Sequence, residues 1–242
     1  MNTFVHRYEL DTSRPSGRDV ARDIALRALL PAAVLWAVVV GIGFLITGPL
    51  GDLPQEDGVN RALADARTPF LNTVTDLIGW IGTTEFIIGG CVLTIALVWW
   101  RTRQWWFAIV PGLAAAVQTL IFLTSSLVVG RSRPDVEQLD EAPPTSGFPS
   151  GHTGASAAFY LTLALLAQRV RNPVLRVALT VLAVLVPFAV GFSRLYRGMH
   201  SLSDVVVGLL NGLACAVLAW GYLRRDVRAT ARDTSAPVES RA

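Results

Sequence analysis

The 242-residue chain contains no lysine, only two cysteines and three histidines, and only 16% of its residues are charged. Each scarcity excludes something. A soluble domain carries about 25% charged residues, whereas here 52% of residues are hydrophobic, so the composition is that of a membrane protein. Cys91 and Cys215 both fall inside apolar runs. They read as small buried hydrophobes, which leaves neither a disulfide framework nor a cysteine metal knuckle. Because lysine is absent, all 21 basic residues are arginines. The expected partners are membrane lipids and not nucleic acid.

About 20 helical residues cross a hydrocarbon core of roughly 30 Å. Six charge-poor runs serve as spans: 28–51, 86–100 lengthened by 82–85, 104–130, 150–168, 177–193 and 205–223. The first exceeds an ordinary signal-peptide core and no A-x-A pattern follows it, so it reads as a true span. The expected fold class is all-α, a six-transmembrane-helix bundle. A membrane-embedded domain over 25–223 would lie between polar cytoplasmic tails at 1–24 and 224–242, with 1–20 and 226–242 disordered. Segment 52–85 carries Asp52, Glu56, Asp57, Asp65 and Asp76, with Leu71, Val74, Leu77, Ile78 and Ile81 at helical spacing. That pattern predicts short interfacial helices on the outer leaflet; an ordinary loop with one amphipathic turn is the plainer alternative.

Arginine placement sets the orientation, since cytoplasmic flanks collect positive charge. With the N-terminus inside, the inner segments hold 15 arginines and the outer segments 6. The expectation is a multi-pass plasma-membrane protein with both termini cytoplasmic. Four of the six outer arginines, Arg131, Arg133, Arg194 and Arg197, lie in two short stretches that flank His152 and His200. Topology therefore brings 131–152 and 194–204 to one face of the membrane.

Those stretches carry chemistry. In "HSLSD", His200 and Asp204 are spaced i, i+4, so on a helix they would share a face and the carboxylate could accept the Nδ1 proton. A histidine so held is a nucleophile or a base; the bland reading is a pair that merely caps the sixth span. "VVGRSRPD" ends the third span with Arg131 and Arg133, and Pro134 is expected to stop the helix. Arginine forks bind tetrahedral oxyanions bidentately. Ser150, Gly151 and His152 open the fourth span, where first-turn N–H groups and the helix dipole favour an anion.

The joint pattern, G-R-x-R-P, then P-S-G-H, then S-R-x5-H-x3-D on one face of a six-helix protein, resembles the type 2 phosphatidic acid phosphatase superfamily. That group includes lipid phosphate phosphatases, prenyl diphosphate phosphatases, glucose-6-phosphatase and the vanadium haloperoxidases. The resemblance covers about 28–223 and implies an acid phosphatase/haloperoxidase-like core. It implies that His200 attacks phosphorus, that Asp204 holds and stabilises its ring, and that His152 serves as acid and then base. It further implies that Arg133, Arg194, Ser150 and Gly151, with Arg131 beside them, bind the phosphate oxygens, with no cofactor or metal. The active site would be periplasmic or extracellular, the substrate a lipid phosphate or prenyl diphosphate, and the pH profile bell-shaped. One position departs: the family has a lysine seven residues before the arginine of R-P, and this chain has Ser126. Arg131 or Arg197 could supply the missing charge. The alternatives are a lipid phosphotransferase on the same fold, a weakly active or non-catalytic anionic-lipid binder or transporter, and a metal site on His152, His200 and Asp204.

Overall fold

The computed structural model describes residues 4–5 and 15–223, and among them there is no strand. The all-α expectation holds. Helices α1 (Gly17–Ile24) and α2 (Leu30–Thr47) are joined by a π-helical turn, Ala25–Leu29, into one continuous helix. Two short helices follow, α3 (Gln55–Asp65) and α4 (Pro69–Trp80), then α5 (Thr84–Thr102), the single turn α6 (Trp105–Ala108) and α7 (Val110–Val129). After a long loop come α8 (Gly151–Ala167), α9 (Pro173–Tyr196) and α10 (Leu202–Gly221).

Local sequence explains the boundaries. Ser16, Thr68, Thr83 and Asn172 accept first-turn N–H groups of α1, α4, α5 and α9, and proline occupies the first turn of α4, α7 and α9, where its missing N–H costs nothing. The end of α7 differs from expectation. It stops at Gly130, in the left-handed region at φ 67°, four residues before Pro134. A glycine there terminates a helix without steric cost, and it releases Arg131 from the helix. At the N-terminus, α1 begins at Gly17 behind a Ser16–Asp19 capping box, so residues 17–20 are helical where a disordered tail was expected. The remainder of that expectation, and all of it for 226–242, lies outside the described residues.

Among the described residues, five helices are long and apolar enough to cross a membrane: the continuous Gly17–Thr47, Thr84–Thr102, Val110–Val129, Pro173–Tyr196 and Leu202–Gly221. The expected fourth span is α8, whose 17 residues reach about 25 Å at 1.5 Å per residue. It is the central helix, packed on α7, α9 and α10, and apart from Phe159 its buried face is small or polar: Thr153, Gly154, Ser156, Ala157, Ala158, Thr162, Ala164 and Ala167. Close approach explains that composition. A Cβ on Gly212 would fall 2.3 Å from the Gly154 carbonyl oxygen, and one on Gly208 2.7 Å from that of Ser150. The Gly208-x3-Gly212 spacing on α10 thus brings two backbones together, as membrane helix pairs do with small residues. Large apolar side chains point outward instead, including Leu30, Val34, Val92, Leu93, Leu182 and Phe188.

The segment between α2 and α5 forms two short helices, and the apolar stripe read from the sequence stays off the packed face. Helix α4 buries Thr75 and Gly79 against α9 and leaves Phe70, Leu77 and Trp80 exposed.

Candidate active site

The middle of α7, the loop over 133–145, the start of α8, the end of α9 and the turn before α10, with α4 and the start of α5, line a cavity of about 880 Å³. His152, His200, Arg133, Arg194 and Gly151 all line it. Five of the eight site residues read from the sequence therefore converge. Ser150, Asp204 and Arg131 are not among the lining residues.

His200 lies before α10, not on it: the helix starts at Leu202, with Ser201 as its cap. The i, i+4 argument fails for that reason. The Nδ1 atom of His200 lies 2.6 Å from the Gly147 carbonyl oxygen, while Asp204 Oδ2 stands 4.0 Å away. A carbonyl can only accept, so Nδ1 carries the proton and Nε2 is left with the lone pair. Burial, reinforced by the Arg133 charge, pulls the imidazole down to about 3. His200 is therefore neutral near pH 7. Gly147 is constrained in turn, because a Cβ there would sit 2.7 Å from the Ser132 carbonyl oxygen.

Asp204 is a hub behind the cavity wall. Its Oδ1 accepts from Arg131 Nη1 at 2.6 Å, its Oδ2 from the Ser201 N–H at 2.7 Å, and its backbone oxygen from the Ser150 N–H at 3.0 Å. All three motif segments meet on this one residue. Arg131 also reaches Glu56 Oε2 at 3.2 Å and the Asp52 carbonyl at 2.7 Å, which commits its fork away from the cavity. Ser150, fully buried, shares its hydroxyl with that of Thr153 at 2.8 Å.

The two cavity arginines are held with donors to spare. Arg133 donates to the carbonyls of Met199 at 2.8 Å and Thr145 at 3.3 Å. Arg194 Nη2 lies 2.9 Å from Asp140 Oδ2, and its buried Nε has no acceptor among the described residues. Under this guanidinium lies Gly79, where a Cβ would fall 2.3 Å from Nη2. The first-turn N–H groups of α8 at Gly151 and His152 also lack an intrahelical acceptor. Together these donors can receive a tetrahedral anion.

Sequence reasoning missed Asp140 and Gly79. Asp140 pairs with Arg197 as well as Arg194, and although burial pushes its carboxyl up, the hydrogen bond from Arg197 and the charges of both arginines hold it below the usual carboxylate range. Arg197 is further tied to the Asn72 carbonyl at 2.9 Å. Neither Arg131 nor Arg197 thus replaces the family lysine. Ser126 itself is buried and accepts from the Ser146 N–H at 2.9 Å, anchoring the loop that delivers Gly147. For a metal, no group of three His, Cys, Asp or Glu side chains converges among the described residues.

A family model, the PAP2 superfamily, matches residues 105–228, about half of the chain and all three motif segments. The chain belongs to the PAP2 superfamily. With five helices long and apolar enough to cross a bilayer, it is a multi-pass membrane member. It is 28% identical over 177 residues to phosphatidylglycerophosphatase B of Bacillus subtilis (strain 168), covering 69% of this chain and 82% of that protein. Two crystal structures share the fold. A transmembrane PAP2-type phosphatidylglycerolphosphate phosphatase from Bacillus subtilis superposes with a TM-score of 0.67 at 21% identity, covering 87% of this chain and 98% of that one. LpxE of Aquifex aeolicus superposes with a TM-score of 0.53 at 21% identity, covering 67% and 92%.

Proposed function

We propose that the chain is a metal-independent lipid phosphate phosphatase working through a phosphohistidine. Its six spans would include the short central α8, with both termini cytoplasmic, 1–24 and 224–242 as tails, and the active site on the outer face of a plasma membrane. The observation that carries this reading is the His200 ring: neutral, with Nδ1–H on the Gly147 carbonyl, in a cavity that also holds His152 and two arginines with free donors.

The His200 Nε2 lone pair attacks phosphorus as the P–O bond to the lipid breaks, and protonated His152 gives its proton to the leaving oxygen. Water then enters. His152 takes its proton, the oxygen attacks phosphorus, the P–N bond breaks, and His200 returns to its neutral form as phosphate departs. Arg194 Nε, Arg133 and the α8 N–H groups stabilise charge on the equatorial oxygens, where most of the catalysis in phosphoryl transfer lies. The profile is bell-shaped, because the first step needs one histidine free and the other protonated. Asp204 supports this from behind, through the α10 cap and Arg131. The exposed Phe70, Leu77 and Trp80 of α4 would rest in the lipid interface and place the cavity mouth at headgroup depth.

The test is phosphate release from lipid phosphates by detergent-purified protein in EDTA, beside His200→Ala. Release that is lost in the variant, with an acid-labile phosphoenzyme trapped in wild type, is the expected result. A new phosphodiester in place of free phosphate would make the protein a transferase, and no turnover a lipid binder or transporter.

A further inference from the structure

The turn that carries His200 is also held from outside the three motif segments. Residues 56–75, on α3 and α4, pair in reverse order with 193–203. The Ser193 hydroxyl donates to the Thr75 carbonyl at 2.6 Å, and Arg197 Nη1 to the Asn72 carbonyl at 2.9 Å. Arg67 Nε donates to the Tyr196 carbonyl at 3.3 Å. Nearest the histidine, Asn60 Nδ2 donates to the His200 carbonyl at 3.0 Å, and Glu56 accepts from the Ser203 N–H and hydroxyl, both at 2.8 Å. Glu56 and Asn60 are the two buried residues of α3, and both are polar. Four residues apart, they share one face of the helix, while Val59 is left 40% exposed. Apolar burial therefore does not explain the docking of α3; its hydrogen bonds to the His200 turn do.

We infer that Asn60 is a positioning residue for His200. The histidine has one fixed point on its ring, where Nδ1 meets the Gly147 carbonyl at 2.6 Å, and a second on its backbone, where its own carbonyl accepts from Asn60. The ring contact alone would let the backbone swing about it. With both ends held, the direction of the Nε2 lone pair is set. Attack on phosphorus needs that direction, since a misplacement of about 1 Å can cost about 10²-fold in rate. Asn60 does not line the cavity, so it acts on the rate of attack and not on anion binding, which falls to Arg133, Arg194 and the first turn of α8. This rests on the phosphatase reading above and adds α3 to its machinery.

Two variants test it. Asn60→Asp keeps the shape of the side chain and turns an acceptor toward the His200 carbonyl, whereas Asn60→Ser is too short to reach it and small enough to be accommodated. Wild type is screened on phosphatidate, phosphatidylglycerophosphate and a polyprenyl phosphate, and the single-turnover rate constant is then measured with saturating enzyme on the lipid that reacts fastest. That constant does not depend on the fraction of protein that is folded, so it separates placement of the nucleophile from loss of structure. It should fall about tenfold or more in both variants, with the inhibition constant for inorganic phosphate within about twofold of wild type. A rate constant within about twofold of wild type overturns the inference. So does a rise in the phosphate inhibition constant as large as the fall in rate, which would mean that the whole site is distorted. Failure of both variants to fold would make Asn60 a structural residue and overturn it as well. In each of these cases turnover by wild type leaves the phosphatase reading standing, whereas wild type silent on all three lipids overturns both.

Discussion

Arg131 Nη1 and Asp204 Oδ1 lie 2.6 Å apart with side chains 4% and 0% exposed, so the arginine that opens the first motif is spent on the aspartate that closes the third. Arg131→Ala would leave that carboxylate buried without its counter-charge. Breaking a buried pair from one side costs about 3–5 kcal/mol. The expected outcome is a large fall in thermal midpoint in detergent, with kcat dropping more than KM rises, because the damage reaches His200 through the α10 cap and not through a phosphate contact. A variant of normal stability with only a raised KM would return Arg131 to the phosphate site.

Gly79 gives the converse case. An added methyl would meet the far end of the Arg194 side chain at 2.3 Å, which can swing aside, and the Ser193 hydroxyl at 3.1 Å, which needs to give by only a few tenths of an ångström, so Gly79→Ala should fold normally. The displaced guanidinium would then bind the phosphate poorly. KM for a lipid phosphate and the inhibition constant for inorganic phosphate should both rise about tenfold, with the thermal midpoint within a degree or two of wild type. Unchanged constants would show that Arg194 does not touch the anion.

The parts of this site that were legible in the sequence are those set by helix ends. Spans of alternating direction place 131–152 and 194–204 at one end of the bundle whatever the packing, so His152, His200, Arg133, Arg194 and Gly151 were found. The direction in which a residue points at a helix start depends on where the first turn begins. Helix α10 begins at Leu202, two residues beyond His200, and this put Asp204 and Ser150 behind the wall. Asp140 lies in a loop routed by tertiary contacts, and no periodicity marks it. On α4 the apolar stripe was legible as that of an interfacial helix, whereas the packed side, Thr75 and Gly79, is small or polar and carries no periodic apolar signal. The 17 residues of α8 were long enough to be noticed as a span, yet its burial came from glycines whose partners only the fold reveals.

Ser126 bears on the departure from the family motif. Its hydroxyl accepts from the Ser146 N–H, and Ser146 in turn bonds the Phe148 carbonyl at 2.9 Å. Restoring the family residue with Ser126→Lys would put an ammonium into this buried loop anchor and unseat Gly147, which holds His200. Activity should fall severalfold or more. A gain in kcat/KM would mean that the lysine reaches the anion and that the loop tolerates its loss of anchoring.

Stability should respond to acid in a direction fixed by His200. Its folded value, pulled down to about 3 by burial and the Arg133 charge, lies below the ordinary value of about 6.5 for an unfolded chain. Between those limits the unfolded state binds the extra proton. Stability is therefore complete above about pH 6.5 and declines as pH falls, by up to about 1.4 kcal/mol per unit from this one group. Asp140 acts in the same sense at lower pH. Its carboxyl, held below the usual range by Arg197 and Arg194 against the opposing push of burial, contributes stability present above its unfolded value and lost as pH drops through the folded one. The thermal midpoint in detergent should be flat from pH 8 to about 6.5 and then descend toward pH 4. His200→Gln should flatten the upper part of that descent and leave the Asp140 part. A wild-type midpoint that holds constant to pH 4 would mean that His200 charges freely in the folded protein, against its burial and the nearby Arg133 charge.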